Sequence, residues 1–244
     1  MLCMNEVSYS YGSKKVLQRQ CMNLKEGRMY AIYGPSGSGK TTCLALLGGL
    51  EEPDSGEVLL DGQNIKEIGY SNLRRHFVSF VFQDFHLFPY MTAVENVLAA
   101  VDLKEYKSRL EQKRSLKQKN SLEQKNRVGG NGRLSSKTVE ESLRRKAENI
   151  LAEIGILEED QNRPVSQLSG GEKQRVAIAR ALITDSKYIL ADEPTGNLDQ
   201  KNSENIVEIM QRLAHEMGKC VVIVTHSEQV RMMCDESIYL EKKK

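Results

Sequence analysis

The sequence predicts an α/β fold built on a parallel sheet, and three observations carry that prediction. From Ser169 onward the pattern alternates: helix over about 170–184, strand over 188–191, helix over about 200–217, strand over 220–225. Such a rhythm belongs to a parallel sheet covered by helices. Upstream, a glycine-rich stretch over 34–39 separates an apolar strand candidate, 29–33, from an apolar helix candidate, 41–50. Polar groups also follow three apolar strands: the glycine-rich stretch after the first, Asp192 and Glu193 after the second, His226 after the third. In a parallel sheet the strand carboxyl ends share one edge, so these three groups are expected to converge.

The remaining elements follow in order. Residues 2–33 read as short strands broken by turns at Tyr11-Gly12-Ser13 and Lys25-Glu26-Gly27. Glu52-Pro53-Asp54-Ser55-Gly56 breaks the chain, and 57–60 runs as a strand into an Asp61-Gly62 turn. Residues 78–82 form a strand followed by an unusual loop, 83–89. Thr92 and Glu95 have capping-box spacing, which starts a helix running to about Val101. Residues 104–137 are low in complexity, with the six-residue repeat LEQKRS, LKQKNS, LEQKNR over 110–127. Six residues turn a helix by about 600°, so Leu110, Leu116 and Leu122 would point three ways and leave no apolar stripe. This stretch reads as a solvated, disordered insertion. A helix from about Thr138 to Gly155 restores order.

Composition removes several classes. With 244 residues, 39% hydrophobic and 28% charged, the chain has room for a sizeable core. Its longest apolar runs, such as 220–224, are far short of the roughly 20 residues a spanning helix needs. The N-terminal residues do not form a secretory signal. Five cysteines, at 3, 21, 43, 220 and 234, include no CxxC pair, which fits neither a disulfide framework nor a zinc site. Aromatics at 6%, without Trp, argue against a base-stacking surface, and no nucleic acid partner is expected. Residues 104–146 hold 14 Lys/Arg against 5 acidic residues, so a net charge of +2 conceals a mildly acidic body.

Gly34, Pro35, Ser36, Gly37, Ser38, Gly39, Lys40 and Thr41 match G-x-x-x-x-G-K-[ST]. Chance gives this pattern about once in 100 chains of this length, and its place between strand and helix is the context it requires. Glycines let the backbone wrap a phosphate chain with its N–H groups inward, and the helix N-terminus adds positive potential. Lys40 would reach the β and γ phosphates, and the Thr41 hydroxyl would ligate Mg²⁺. Asp192 is placed to hold Mg²⁺ through water, and Glu193 to polarise an attacking water. His226 taken alone reads more readily as a structural histidine than as a catalytic one.

At Leu168-Ser169-Gly170-Gly171-Glu172, followed by Lys173-Gln174-Arg175, the sequence resembles the signature of ABC-type ATPases. The other motifs of that family stand in order: the Walker A loop through Thr42, a Q-loop glutamine at Gln83, a Walker B strand ending in Asp192 and Glu193, a D-loop Gly196-Asn197-Leu198-Asp199, and a switch histidine at His226. Tyr11 stands where the family's adenine-stacking aromatic stands, with Tyr9 as the fallback. The resemblance spans nearly the whole chain except about 104–137. It implies a P-loop NTPase (RecA-like) core over 2–242, with an N-terminal antiparallel β subdomain and an inserted α-helical subdomain over about 90–170. It implies a Mg²⁺-dependent ATPase that works as a head-to-tail pair, with ATP between one Walker A loop and the other copy's Ser169, Gly170, Gly171 and Glu172. Asp199 is the retained D-loop acid, beside Asn197 where alanine is commoner. Gln83 would touch Mg²⁺ and the attacking water; His226 would hold the γ-phosphate.

The stretch from Phe80 to Val97 resembles the lipoprotein-release and macrolide or antimicrobial-peptide export ATPases more closely. That implies an integral membrane permease whose coupling helix meets the Gln83 loop, and a peripheral site on the inner, cytoplasmic face of the cell membrane. Ordinary packing within the helical subdomain is the other account of these phenylalanines. A soluble or cell-division ATPase of the same class, coupled to a non-transport partner, is the alternative function. Two further expectations concern single features. The basic repeat is either an inert expansion or an attraction to anionic lipid headgroups. Cys43, in the first turn after the phosphate loop, is either a thiol with a lowered pKa, alkylated in an ATP-protected way, or a buried apolar residue.

Overall fold

The computed structural model describes residues 1–103, 106, 108 and 136–242. The basic repeat over 110–127, and with it the readings of disorder and of lipid attraction, lies outside the described residues.

Two sheets share one core. The first is antiparallel, in the order β2 (Lys14–Leu24), β1 (Leu2–Tyr11), β4 (Ser55–Leu60), β5 (Gln63–Asn64). The second is parallel, in the order β6 (Val78–Phe82), β7 (Tyr188–Asp192), β8 (Cys220–Val224), β3 (Met29–Tyr33), β9 (Glu236–Tyr239). The three inner parallel strands β7, β8 and β3 run as apolar stretches because both their faces are covered. Tyr30, Ile32, Leu190, Val222 and Val224 face helix α1 (Lys40–Leu47) and the antiparallel sheet. Met29, Ile189, Ala191, Val221 and Ile223 face a second apolar cluster, filled by the helices that follow.

Helices α2 (Ile65–Ile68) and α3 (Tyr70–His76) put Ile65 and Leu73 into the first cluster instead; the others are α4 (Ala93–Leu98), α5 (Ser136–Glu153), α6 (Glu158–Gln161), α7 (Gly170–Leu182), α8 (Gln200–His215) and α9 (Glu228–Met232). Helix α5 buries Val139, Leu143, Ala147 and Leu151, a stripe at four-residue spacing. Within the described residues it runs from Ser136 and stops ahead of Gly155, whose φ of +82° ends it. Helix α1 likewise stops three residues short of the expected end, because Gly48 and Gly49 follow; a Cβ on Gly48 would lie 2.0 Å from the Phe80 ring. Thr92 and Glu95 form the expected capping box of α4, which ends at Leu98 rather than about Val101. Helices α2, α3, α6 and α9 and strand β9 were not expected. Three of those helices have five residues or fewer, too short for a periodic signal, and β9 pairs only with β3 and is largely exposed.

Register decides what this scaffold can do. Phe82 pairs with Asp192, Asp192 with Val224, and Val224 with Ile32. One row across the sheet therefore precedes Gln83, Glu193, the Thr225–His226 step and the Tyr33–Gly34 step. The three predicted polar groups leave the sheet along a single edge.

Candidate functional site

The loop between β3 and α1 is shaped by glycine. Gly37 and Gly39 have φ of +77° and +91°, which L side chains rarely adopt. A Cβ on Gly39 would also come within 2.8 Å of the Val16 side chain, so the loop lies directly on β2. Gly39 caps α1 without a side chain, leaving the helix N-terminus open toward the loop. Lys40 is buried, and its Nζ donates to the carbonyls of Gly34 at 3.0 Å and Pro35 at 3.1 Å. Burial holds its ammonium below the ordinary lysine range, with Glu193 and Asp192 opposing that shift. The Ser38 hydroxyl is buried without a hydrogen-bond partner.

A cleft of about 340 Å³ joins this loop, including Ser36, Thr41 and Thr42, to Tyr11, Glu193 and His226. Tyr11 stands on its rim, half exposed. Tyr9 does not serve as the fallback: it is buried, donates to Glu51 at 2.8 Å and meets the Tyr11 ring edge-on. The sequence reading missed Lys14 and Val16, which line the same cleft. The hairpin would have revealed Lys14, because Tyr11 and Lys14 pair across its turn.

Across the cleft, the Thr41 hydroxyl donates to Asp192 Oδ1 at 3.3 Å. Burial raises the Asp192 carboxyl, and the Thr41 hydrogen bond partly offsets it. Glu193 Oε1 lies 3.0 Å from His226 Nε2. Glu193 has φ of +46°, a costly region for a residue with a long side chain. Its N–H is fixed on the Val224 carbonyl and its own carbonyl accepts from Gly196, both at 3.0 Å, so strand β8 and a tight turn hold it there. Hydroxyl and carboxylate oxygens are the donors a hard divalent cation takes. Among the described residues no group of three His, Cys, Asp or Glu could hold a metal. This donor set suits Mg²⁺ that keeps waters and substrate phosphates as its other ligands.

Gln83 leaves β6 and turns toward the loop after β7. Its Nε2 donates to Asn197 Oδ1 at 3.2 Å. Beyond it, Phe85 and His86 have φ of +58° and +48°, and both carbonyls accept from Arg180. Phe80 and Phe82 stack at 5.5 Å, Leu87 packs on the helical core, and Phe88 and Tyr90 stand exposed, so packing accounts for only part of this aromatic stretch. Asn96 secures the segment: fully buried, it accepts from Phe88 N at 2.7 Å and donates to the carbonyls of Phe88, Met91 and Thr92. Asn96→Leu should lower stability by about 2–4 kcal/mol, because it strands several buried polar groups. The check is a lower urea midpoint at unchanged slope; an unchanged midpoint would contradict this account.

Ser169 and Glu172 form a capping box at the start of α7, the Ser169 N–H and hydroxyl each donating to the Glu172 carboxylate at 2.7 Å. Those bonds hold the Glu172 carboxyl below its usual range. Its carboxylate faces its own cap rather than the phosphate cleft, and Ser169–Glu172 do not line that cleft. Gly170 instead meets Leu198 in the turn before α8, and Gly171 meets the first turn of α8 itself: a Cβ on Gly171 would be 2.3 Å from Asn202 Oδ1. Asp199 caps α8 and binds Asn202 through both carboxylate oxygens at 2.8 Å.

Of the two readings of Cys43, the buried apolar residue holds and the reactive thiol fails. Cys43 is fully buried, 3.8 Å from the Met4 sulfur and 3.9 Å from that of Met22, and burial pushes its thiol up to about 12. Desolvation outweighs the helix N-terminus. Brief N-ethylmaleimide treatment should label exposed Cys21 and spare Cys43 with or without ATP. ATP-protected labelling of Cys43 in peptide maps would contradict this.

Comparison with known proteins gives a consistent picture. The family model described as ABC transporter matches residues 17–196. Among curated relatives, an uncharacterized ABC transporter ATP-binding protein, YclH of Bacillus subtilis, is 37% identical, covering 99% of this chain and 94% of YclH. The lipoprotein-releasing system ATP-binding protein LolD of Bacteroides thetaiotaomicron is 36% identical over 98% of this chain and 96% of its own. Among solved structures, the ATP-binding cassette MJ0796 of Methanocaldococcus jannaschii matches with a TM-score of 0.75 and 35% identity, over 100% of this chain and 97% of that one. That structure is a dimer in a post-hydrolysis state, bound to ADP and Pi.

Proposed function

Because this chain belongs to the ABC transporter family, as the ATP-binding and ATP-hydrolysing subunit of such a transporter, we propose a specific division of labour among its residues. The observation that carries the proposal is the single sheet edge on which Lys40, Thr41, Asp192, Glu193 and His226 meet. Tyr11 stacks on adenine. The N–H groups of residues 37–42 cradle the phosphates, and Lys40 exchanges the Gly34 and Pro35 carbonyls for the β and γ phosphates. Thr41, Asp192 and the Gln83 amide oxygen would hold Mg²⁺, which neutralises charge on the β and γ phosphates when bound.

Glu193 accepts a proton from the attacking water, whose oxygen bonds to the γ-phosphorus as the bond to the β,γ-bridging oxygen breaks. ADP leaves and the proton passes on to phosphate. His226, within reach of Glu193, steadies the γ-phosphate. Ser169, Gly170 and Gly171 of a second copy close the site, since their own phosphate cleft lies elsewhere. Glu172 and Asp199 act through caps: Glu172 fixes Ser169, and Asp199 fixes Asn202, whose side chain lies against Gly171. Residues 2–242 serve as one cassette, with 90–170 as its helical subdomain.

No helix among the described residues is long and apolar enough to cross a membrane. We place the chain on the inner face of the cell membrane, with the exposed Phe88 and Tyr90 near Gln83 receiving the coupling helix of an integral membrane permease. LolD, a lipoprotein-releasing protein by name, supports a permease of that type. The test is affinity capture with Glu193→Gln and Mg-ATP, from detergent-solubilised membranes and from cytosol in parallel. A second copy and a polytopic permease should come from membranes. Capture of only a soluble complex, from cytosol, would instead favour the non-transport alternative.

A further inference from the structure

We propose that Asn197 is a positioning residue: it clasps the Gln83 amide so that its oxygen, and not its nitrogen, is presented to the metal. This rests on the reading above that Gln83 faces Mg²⁺. The contacts run both ways. Gln83 Nε2 donates to Asn197 Oδ1 at 3.2 Å, and Asn197 Nδ2 donates back to the Gln83 main-chain carbonyl at 3.3 Å and to Asp84 Oδ1 at 3.5 Å. With its nitrogen engaged, the Gln83 amide keeps only its oxygen to offer, and oxygen is what a hard cation takes.

Asn197 is itself anchored. It lies in the turn where Gly196 N donates to the Glu193 carbonyl at 3.0 Å and Leu198 N to Thr195 at 3.2 Å. Gly196 makes the approach possible, since a Cβ there would fall 2.8 Å from Gln83 Nε2. One turn thus carries Glu193 and orients Gln83, so the two groups are set in a fixed relation. Asn197 is exposed and Gln83 half-buried, so water replaces these bonds in the unfolded chain and their loss should barely affect stability.

Alanine at 197 removes both the acceptor and the donor. Aspartate keeps the acceptor, loses both donated bonds and faces Asp84 with like charge. In the N197D/D84N double variant, the amide at 84 can donate to the carboxylate at 197, restoring part of the clasp.

The experiment uses the full chain, comparing Asn197→Ala, N197D, N197D/D84N and Gln83→Ala with wild type. Mn²⁺ binding to the ATP-saturated protein is followed by the electron paramagnetic resonance signal of free Mn²⁺; ATP binding in EDTA and thermal midpoints are measured beside it. For Asn197→Ala, Mn²⁺ affinity should fall about fivefold, the equivalent of one ordinary hydrogen bond, and kcat similarly, with KM for ATP at saturating metal unchanged. ATP affinity in EDTA and the thermal midpoint should match wild type. N197D should be no better, and the double variant should recover at least half of the loss. If Gln83→Ala weakens Mn²⁺ binding and Asn197→Ala does not, the positioning role is wrong and the Gln83 reading survives. If Gln83→Ala also binds Mn²⁺ normally, the metal reading of Gln83 falls and takes this proposal with it. A lowered midpoint with ATP binding and turnover reduced in equal proportion would show a merely structural asparagine, which also overturns it.

Discussion

Glu193→Gln should slow ATP turnover by about a thousandfold while leaving ATP binding intact, the scale expected when a general base is lost. The substitution is isosteric. An amide keeps a hydrogen-bonding atom toward His226, 3.0 Å away, and leaves untouched the backbone bonds that hold residue 193 at φ +46°. Stability should therefore stay within about 0.5 kcal/mol of wild type. What disappears is the carboxylate that draws the proton from water. Since closure needs the γ-phosphate and opening needs its loss, the variant should accumulate as an ATP-bound dimer. Phosphate release and size-exclusion chromatography with and without Mg-ATP read the two effects. Turnover within about threefold of wild type would remove Glu193 from the base role, because general-base contributions are rarely so small.

The convergence behind that expectation was legible in the sequence because its signals are local. Apolar strands followed by a glycine-rich loop, an acidic pair and a histidine reach one edge in any parallel sheet. Thr92 announced its helix through a three-residue spacing, and that capping box formed. What stayed hidden depends on which strands are neighbours. The order β6-β7-β8-β3-β9 places Gln83 beside the turn after β7, and no local pattern encodes the Gln83–Asn197 clasp. Asn197 was read only as a departure from a commoner alanine, although its side chain is what Gln83 touches. Lys14 was hidden by an undrawn hairpin register. The sequence leaves Cys43 open between a reactive and a buried thiol because position in a helix says nothing about burial: the methionines that enclose it come from β1 and β2, far away in the chain.

Lys40→Met should weaken ATP binding about a hundredfold, the scale of a charge-assisted contact to phosphate in a partly desolvated site. The same substitution should leave the nucleotide-free protein as stable as wild type or slightly more so. Lys40 is buried and its ammonium is destabilised by that burial, which its hydrogen bonds to the Gly34 and Pro35 carbonyls and the nearby Glu193 and Asp192 carboxylates only partly offset. Methionine fills a similar volume without a charge to desolvate. Gly34 and Pro35 line a neighbouring open cleft, with Pro35 exposed, so water can replace the ammonium. Stability and binding should therefore separate, and thermal unfolding reads both. Stabilisation by ligand follows the logarithm of concentration over Kd, so a hundredfold weaker Kd removes about 2.7 kcal/mol of ATP-induced stabilisation at saturating nucleotide. Without ATP the two midpoints should coincide within about 2 °C, the shift that half a kcal/mol gives a domain of this size. A large fall in the nucleotide-free midpoint would mean that Lys40 is chiefly a structural clamp on its own loop. An unchanged ATP-induced shift would mean that the phosphates bind elsewhere.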